Sequence, residues 1–316
     1  MDDEESHRTA SFIVTANPAI GRGPGDKVRF VQLKPSFPTD QARTTKIANW
    51  DVFRGLLLAV VYSDNERSTI HGSAIIVAPG VALCAKHVLK AVIEEGKESK
   101  FKGKPMAIGI TSDGAQGWSI TNLFAALEHD VCILGLEAAC AIPPDRTYYQ
   151  VSITTRLPAV GETLTIAGFR ASQRCFPAAA EGHTISLEGQ LITSSGVVTE
   201  QYTAGRDKLL APWPSLEIDC PAWGGMSGGP VFDSRGYLVG LIARSMETES
   251  EPSPMLCSLI WPVLGHKFDG GWPIRQMQRS LLDLHGTLCL IERPDALKIF
   301  EGDQPRDFNC LYEAWT

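Results

Sequence analysis

The 316-residue chain contains no uninterrupted apolar run of about 18 residues, which argues against a membrane-spanning helix. Its opening, Met1-Asp2-Asp3-Glu4-Glu5, is acidic and lacks the positive segment and apolar stretch of a secretion signal, so a soluble cytoplasmic protein is expected. No basic stripe offsets the formal net charge of −7, which argues against nucleic acid or an anionic membrane as the main partner. Eight cysteines are present (Cys84, Cys132, Cys140, Cys175, Cys220, Cys257, Cys289 and Cys310), yet none forms a C-x-x-C pair. They are widely spaced and mostly sit in apolar runs such as Val131-Cys132-Ile133-Leu134. Without a secretion signal, that pattern points to buried free thiols rather than disulfides or a zinc site, so neither metal nor cofactor is expected. Internal repeats and low-complexity segments are also absent.

What is present is the composition of an ordinary folded protein, 44% hydrophobic and 21% charged. From Val52 onward, β-branched and apolar runs of four to eight residues alternate with turn signals, the pattern of an all-β sandwich or barrel. Strands are expected at Leu56–Tyr62, Ser73–Val77, Val81–Ala85, Ala107–Ile110, Val131–Leu136 and Thr163–Ala167. Further strands are expected at Gln190–Thr193, Leu216–Cys220, Val231–Phe232, Tyr237–Ile242 and Cys257–Trp261. Ala78-Pro79-Gly80 reads as a hairpin turn, and Gly103–Gly117, Ala178–Gly182 and Glu247–Pro254 as loops. The best helical pattern is Pro273–His285, where Ile274, Met277, Leu281 and Leu284 share a face, Pro273 suits the first turn and Gly286 the C-terminal cap. Residues 1–46 read as an N-terminal extension able to add one strand, and 287–316 as a tail.

One stretch carries chemistry: Gly224-Gly225-Met226-Ser227-Gly228-Gly229-Pro230. Glycines around a serine let the backbone approach a reacting carbonyl and turn its N–H groups toward it. A serine hydroxyl attacks only when a base removes its proton, and the usual base is a histidine oriented by a carboxylate. Of seven histidines, His87 stands out because it ends the buried-looking strand that contains Val81–Ala85, a rigid place to mount a base, and Asp130 opens the run Val131–Leu136, with Glu128 and Asp113 as rivals. His71 and His129 read as structural or exposed.

The blocks G-S-x-I-I-V…L-C-A-K-H-V, H-D-V-C-I-L-G-L and G-M-S-G-G-P-V-F together resemble the chymotrypsin-like (trypsin-like) serine peptidases, in particular their bacterial, disulfide-free branch. The order His, Asp, Ser is that family's. Pro158–Gly168 resembles the opening of its second barrel, and Leu256–Leu264 the strand before its C-terminal helix. The resemblance spans roughly residues 48–286 and implies a double β-barrel. It places a first barrel at about 47–150, a second at about 151–265 and a C-terminal helix at 273–285.

Carried over residue by residue, it implies Ser227 as nucleophile, His87 as general base, Asp130 as its orienter and the N–H groups of Gly225 and Ser227 as the oxyanion hole. Pro221, Ala243, Arg244 and Ser245 would frame the specificity pocket. Pro221 stands where trypsin-type members keep an acid, so cleavage after a small or apolar residue is expected rather than after Arg or Lys. Met226 stands where secreted members keep an aspartate that pairs with a newly cut N-terminus. Activation by such a cut is therefore not expected.

The implied activity is an intracellular serine endopeptidase acting on a protein or peptide, restrained by a dedicated target or regulatory protein or by its own extensions. The alternative is a catalytically idle protease fold used as a scaffold. Gly225-Met226-Ser227-Gly228-Gly229 also matches the G-x-S-x-G elbow of α/β-hydrolases. That elbow needs a helix directly after the serine, however, and Gly228-Gly229-Pro230 followed by a strand pattern cannot start one.

Overall fold

The computed structural model describes residues 8–13, 29–37, 44–47, 50–64, 68–99, 103–111, 114–125, 128–140, 146–171, 184–209, 211–245, 254–271, 278–301 and 308–312. Six strands form a first closed barrel: β1 (Leu57–Ser63), β2 (Ser68–Ala78), β3 (Val81–Ala85), β4 (Lys104–Thr111), β5 (Gly114–Ala125) and β6 (Val131–Ala138). Around the barrel they run β1-β2-β3-β6-β5-β4, and β4 closes on β1 through pairs such as Val60 with Ala107. Every residue of β1 and β3 is buried, as expected of continuous Val, Leu and Ala runs covered on both faces. The hairpin turn at Pro79-Gly80 closes as read from the sequence, with Gly80 at φ +68°.

The second barrel is built from β7 (Thr163–Ala171), β8 (Thr184–Tyr202), β9 (Ser215–Asp219), β10 (Pro230–Phe232), β11 (Leu238–Ser245) and β12 (Met255–Leu259). Its strands run β7-β8-β9-β12-β11-β10, with β10 closing on β7. This is the first barrel's order repeated, although no repeat is visible in the sequence. One apolar core passes through both barrels. The Phe53 and Phe232 rings stack at 6.5 Å across the junction, and Phe37 lies 5.6 Å from Phe232.

Three differences from the sequence reading stand out. First, a 13-residue helix α1 (Lys86–Glu98) follows β3 directly, so His87 sits in a helical first turn rather than on a strand end. Val88, Leu89 and Val92 form its buried face, and packing on the barrel holds a segment that has no side-chain N-cap and carries Val88, Val92, Ile93 and Gly96, which do not favour helix.

Second, the helix expected over Pro273–His285 is confined, among the described residues, to α2 (Leu281–Leu284); residues 272–277 lie outside them. The start is set by Ser280, whose hydroxyl accepts from the Asp283 N–H while the Asp283 carboxylate accepts from the Ser280 N–H, and Arg279 is drawn into a bridge with Phe268. Gly286 does take the left-handed conformation past the end, at φ +77°.

Third, the N-terminal segment supplies three strands rather than one. Arg8–Ile13 and Thr44–Lys46 pair with β8, and Arg29–Leu33 pairs with Thr147–Val151. The segment Gly103–Gly117, read mainly as a loop, holds β4 and the start of β5, because its Gly, Gln and Thr residues pair in the ladder where a sequence pattern suggests turns. The Ala178–Gly182 and Glu247–Pro254 loops fall on residues outside the description, except Pro254. Among the described residues, no helix is long and apolar enough to cross a membrane.

Candidate active site

His87 is placed by the β3–α1 junction. Asp130 is placed by the residue pair before β6, next to β3 in the barrel, where Ala85 and Val131 are register partners. The Lys86 N–H donates to the Asp130 carbonyl, tying the two chain segments together at their ends. The Asp130 carboxylate then faces the imidazole: His87 Nδ1 lies 2.9 Å from Oδ2 and 3.1 Å from Oδ1, and the His87 backbone N–H donates to Oδ1 at 3.2 Å. Asp130 is 7% exposed and His87 37%. A carboxylate accepts only, so Nδ1 carries the proton and Nε2 is left as an acceptor on the more open side.

Of the rivals, Glu128 is exposed and Asp113 lies outside the described residues. His71 is instead paired with Glu95 of α1, which Thr69 also engages. His129 is half-buried, and burial, helped by nearby His266 and Lys86, lowers its pKa to about 4, so it stays neutral beside Asp130.

Ser227 comes from the loop between β9 and β10, in the other barrel. Its carbonyl accepts from the Ser73 N–H of β2 at 2.8 Å. Gly228 packs so closely on the first barrel that a Cβ there would lie 2.3 Å from the Ser73 carbonyl oxygen and 2.9 Å from the Ala85 nitrogen, two residues before His87. Backbone contact between the barrels thus holds the Ser227–Gly228 segment against the end of β3, the strand that leads into His87. Among the described residues the Ser227 hydroxyl makes no hydrogen bond.

Trp223–Met226 form a turn closed by Met226 N–H donating to the Trp223 carbonyl at 3.0 Å, with Gly225 in its third position at φ +91°. This is type II geometry, which calls for glycine there. Met226 is fully buried, and a Cβ on Gly168 of β7 would come within 2.8 Å of its Cα. A thioether thus fills the place behind the serine.

The family model for the trypsin-like peptidase domain matches residues 72–241. The chain belongs to that family. The trypsin-like domain is also similar to solved structures of Rv3671c from M. tuberculosis H37Rv in an inactive form (12% identity over 66% of this chain and 82% of that one, TM-score 0.41) and of the MamO protease domain from Magnetospirillum magneticum (13%, 66% and 93%, TM-score 0.42). An HtrA-type protease, AlgW, with a tripeptide is a third (17%, 67% and 59%, TM-score 0.43). Among curated proteins, no match to the sequence is found.

In the trypsin-like domain, the residues expected to frame a specificity pocket flank the Ser227 loop. Pro221 follows β9 and is buried; Ala243 of β11 is 1% exposed and clusters with Ala211 and Leu256, while Arg244 is exposed. Ser245 pairs in register with Met255. Among the described residues, no group of three or more His, Cys, Asp or Glu side chains stands close enough to hold a metal ion. The sequence reading missed Ser73, which reaches the Ser227 loop from β2. It lies inside the first block of the resemblance, but nothing in its spacing signals a contact with a loop 150 residues away.

Proposed function

We propose that this trypsin-like serine endopeptidase uses Ser227 as nucleophile, His87 as base and Asp130 as orienter, with the Gly225 and Ser227 N–H groups receiving the oxyanion. The observation that carries the reading is the double contact of His87 Nδ1 and N–H with the buried Asp130 carboxylate, beside a loop that sets Ser227 against the same strand end. In the reaction, Nε2 takes the Ser227 proton as Oγ attacks the peptide carbonyl. The carbonyl electrons move to oxygen, toward the two N–H groups, and His87 then returns the proton to the leaving amine. Water repeats the sequence on the acyl-enzyme.

The protein acts without N-terminal cleavage, because buried Met226 occupies the position of the aspartate that such activation needs and a charge there would have no place. A small or apolar residue precedes the cut bond, in keeping with the buried Pro221 and Ala243. An intracellular, reducing setting agrees with six buried free thiols among the described residues, including Cys84 and Cys132 as register partners on β3 and β6.

The test is labelling of the uncut, full-length protein with a fluorophosphonate, against Ser227→Ala as control. Labelling that Ser227→Ala abolishes is the expected result. A wild type that fails to label between pH 6 and 9, or that labels only after proteolysis, refutes the triad or the activation mode respectively.

A further inference from the structure

Two glycines occupy the middle of the Trp223–Met226 turn, and glycine adopts either sign of φ at little cost. A switch from type II to type I geometry reverses the Gly224–Gly225 peptide and turns the Gly225 N–H away from the position the oxyanion would take. Both forms share the Gly225–Met226 peptide, so what the surroundings can fix is where that peptide, and with it the Gly225 end of the turn, lies. The fully buried Ser73 of β2 is placed to do so. Its Oγ donates to the Gly225 carbonyl at 3.0 Å and accepts from the Phe169 N–H of β7 at 3.0 Å, so the hydroxyl has one donor and one acceptor and a single direction. Its N–H holds the Ser227 carbonyl, and its own carbonyl lies against Gly228.

We infer that the Ser73 hydroxyl is a positioning group for the oxyanion turn, pinning the Gly225–Met226 peptide from the first barrel so that the Gly225 N–H stays aimed at the reacting oxygen. This rests on the reading of Gly225 and Ser227 as oxyanion donors. Gly225 is then held at its carbonyl by Ser73, while Met226 is held at its N–H by Trp223. Without the hydroxyl, the Gly225 carbonyl and Phe169 N–H lose their shared partner, and the Gly225 end of the turn is free to shift relative to Ser227.

Ser73→Ala removes the hydroxyl, and Ser73→Cys keeps the site filled with a group that hydrogen-bonds only weakly. The measurement is fluorophosphonate inactivation, resolved into the rate at saturating probe and the half-saturating concentration, with melting temperature and the pH profile recorded alongside. Loss of a whole oxyanion donor costs about 10²–10³-fold in rate, and loss of its alignment is expected to cost about 10–100-fold in the saturating rate. Half-saturation stays within about twofold, and the pH profile keeps its shape because His87 and Asp130 are untouched.

A folded Ser73→Cys or Ser73→Ala that reacts at the wild-type rate overturns the inference. So does a loss confined to half-saturation, full recovery in Ser73→Cys, or failure of both variants to fold, each of which assigns Ser73 to packing. A wild type that does not label at all removes the peptidase reading and this inference with it. An active wild type with unaffected variants removes this inference alone.

Discussion

Gly168 and Met226 are in contact across the second barrel: a Cβ on Gly168 would lie 2.8 Å from both Met226 Cα and Cβ, and Met226 is fully buried. The residue before Ser227 is therefore seated by its apolar side chain against the one strand position, Gly168, that has no side chain. Gly168→Ala is expected to push Met226 and the Ser227 loop outward, lowering fluorophosphonate labelling at least tenfold in a protein that still folds. Met226→Asp places a carboxylate in the same seat with no partner, which should cost about 3 kcal/mol or more of stability by urea unfolding.

The barrel junction makes a sharper demand at Gly228 than at Gly224. Gly228 has φ +80° and backbone atoms 2.3 and 2.9 Å from where a Cβ would lie; Gly224 has open space within 4 Å. Melting temperature should fall in Gly228→Ala, by about 5 °C if about 3 kcal/mol is lost, and stay near wild type in Gly224→Ala. Equal melting temperatures for the two variants would contradict the close approach of the barrels.

Asp130→Asn preserves shape but can donate to Nδ1, favouring the tautomer whose proton sits on Nε2. Labelling should slow on the order of 10³–10⁴-fold, with the melting temperature little changed because the half-exposed His87 needs no charge partner to stay folded. Asp130→Ala losing no more activity than a surface substitution would remove Asp130 from the site.

Acid stability should fall in two stages. Burial lowers the pKa of His129, to about 4, and of His266. The unfolded chain protonates these histidines near 6.5 and the folded protein at lower pH, His129 at about 4, so stability decreases as pH falls from about 6.5 toward 4. Deeper acid then reaches the ion pairs at the end of the second barrel. Arg156 holds Glu162 at 2.6 Å, Arg235 holds Glu292 at 2.6 Å, and both arginines meet the buried Asp233. Hydrogen bonds from Arg156 lower the Glu162 pKa and those from Arg235 lower that of Glu292. For Asp233, burial pushes upward but is outweighed by the Tyr237 N–H and the two arginines. Depressed carboxyl pKa values contribute stability above the ordinary carboxylate range, about pH 4, that is lost as pH falls through the folded values. Melting temperature measured against pH tests both stages, and His129→Asn should flatten the first.

The strand runs were legible because β-branched and apolar residues in short blocks leave few other folds, and Val81–Ala85 appears with its expected ends. Ser227, His87 and Asp130 were legible as candidates because their neighbours are distinctive. Helix α1 was not, since its helical state depends on Val88, Leu89 and Val92 finding the barrel wall. The start of α2 differs from the sequence reading because an apolar stripe from Ile274 outweighs the Ser280–Asp283 capping pair, which marks the start of the helix more locally.

By itself, the sequence determined the strand-rich architecture, the residue types able to do acyl transfer and their order along the chain, because these depend on local pattern and intrinsic chemistry. Only the tertiary structure decided that Asp130 grips His87 from an adjacent strand, that Gly228 seats the serine loop against Ala85, and that Ser73 reaches the Gly225 carbonyl from the other barrel. Those contacts join segments far apart in the chain, and their distances are set by barrel closure and by close packing at glycines, which no linear pattern encodes.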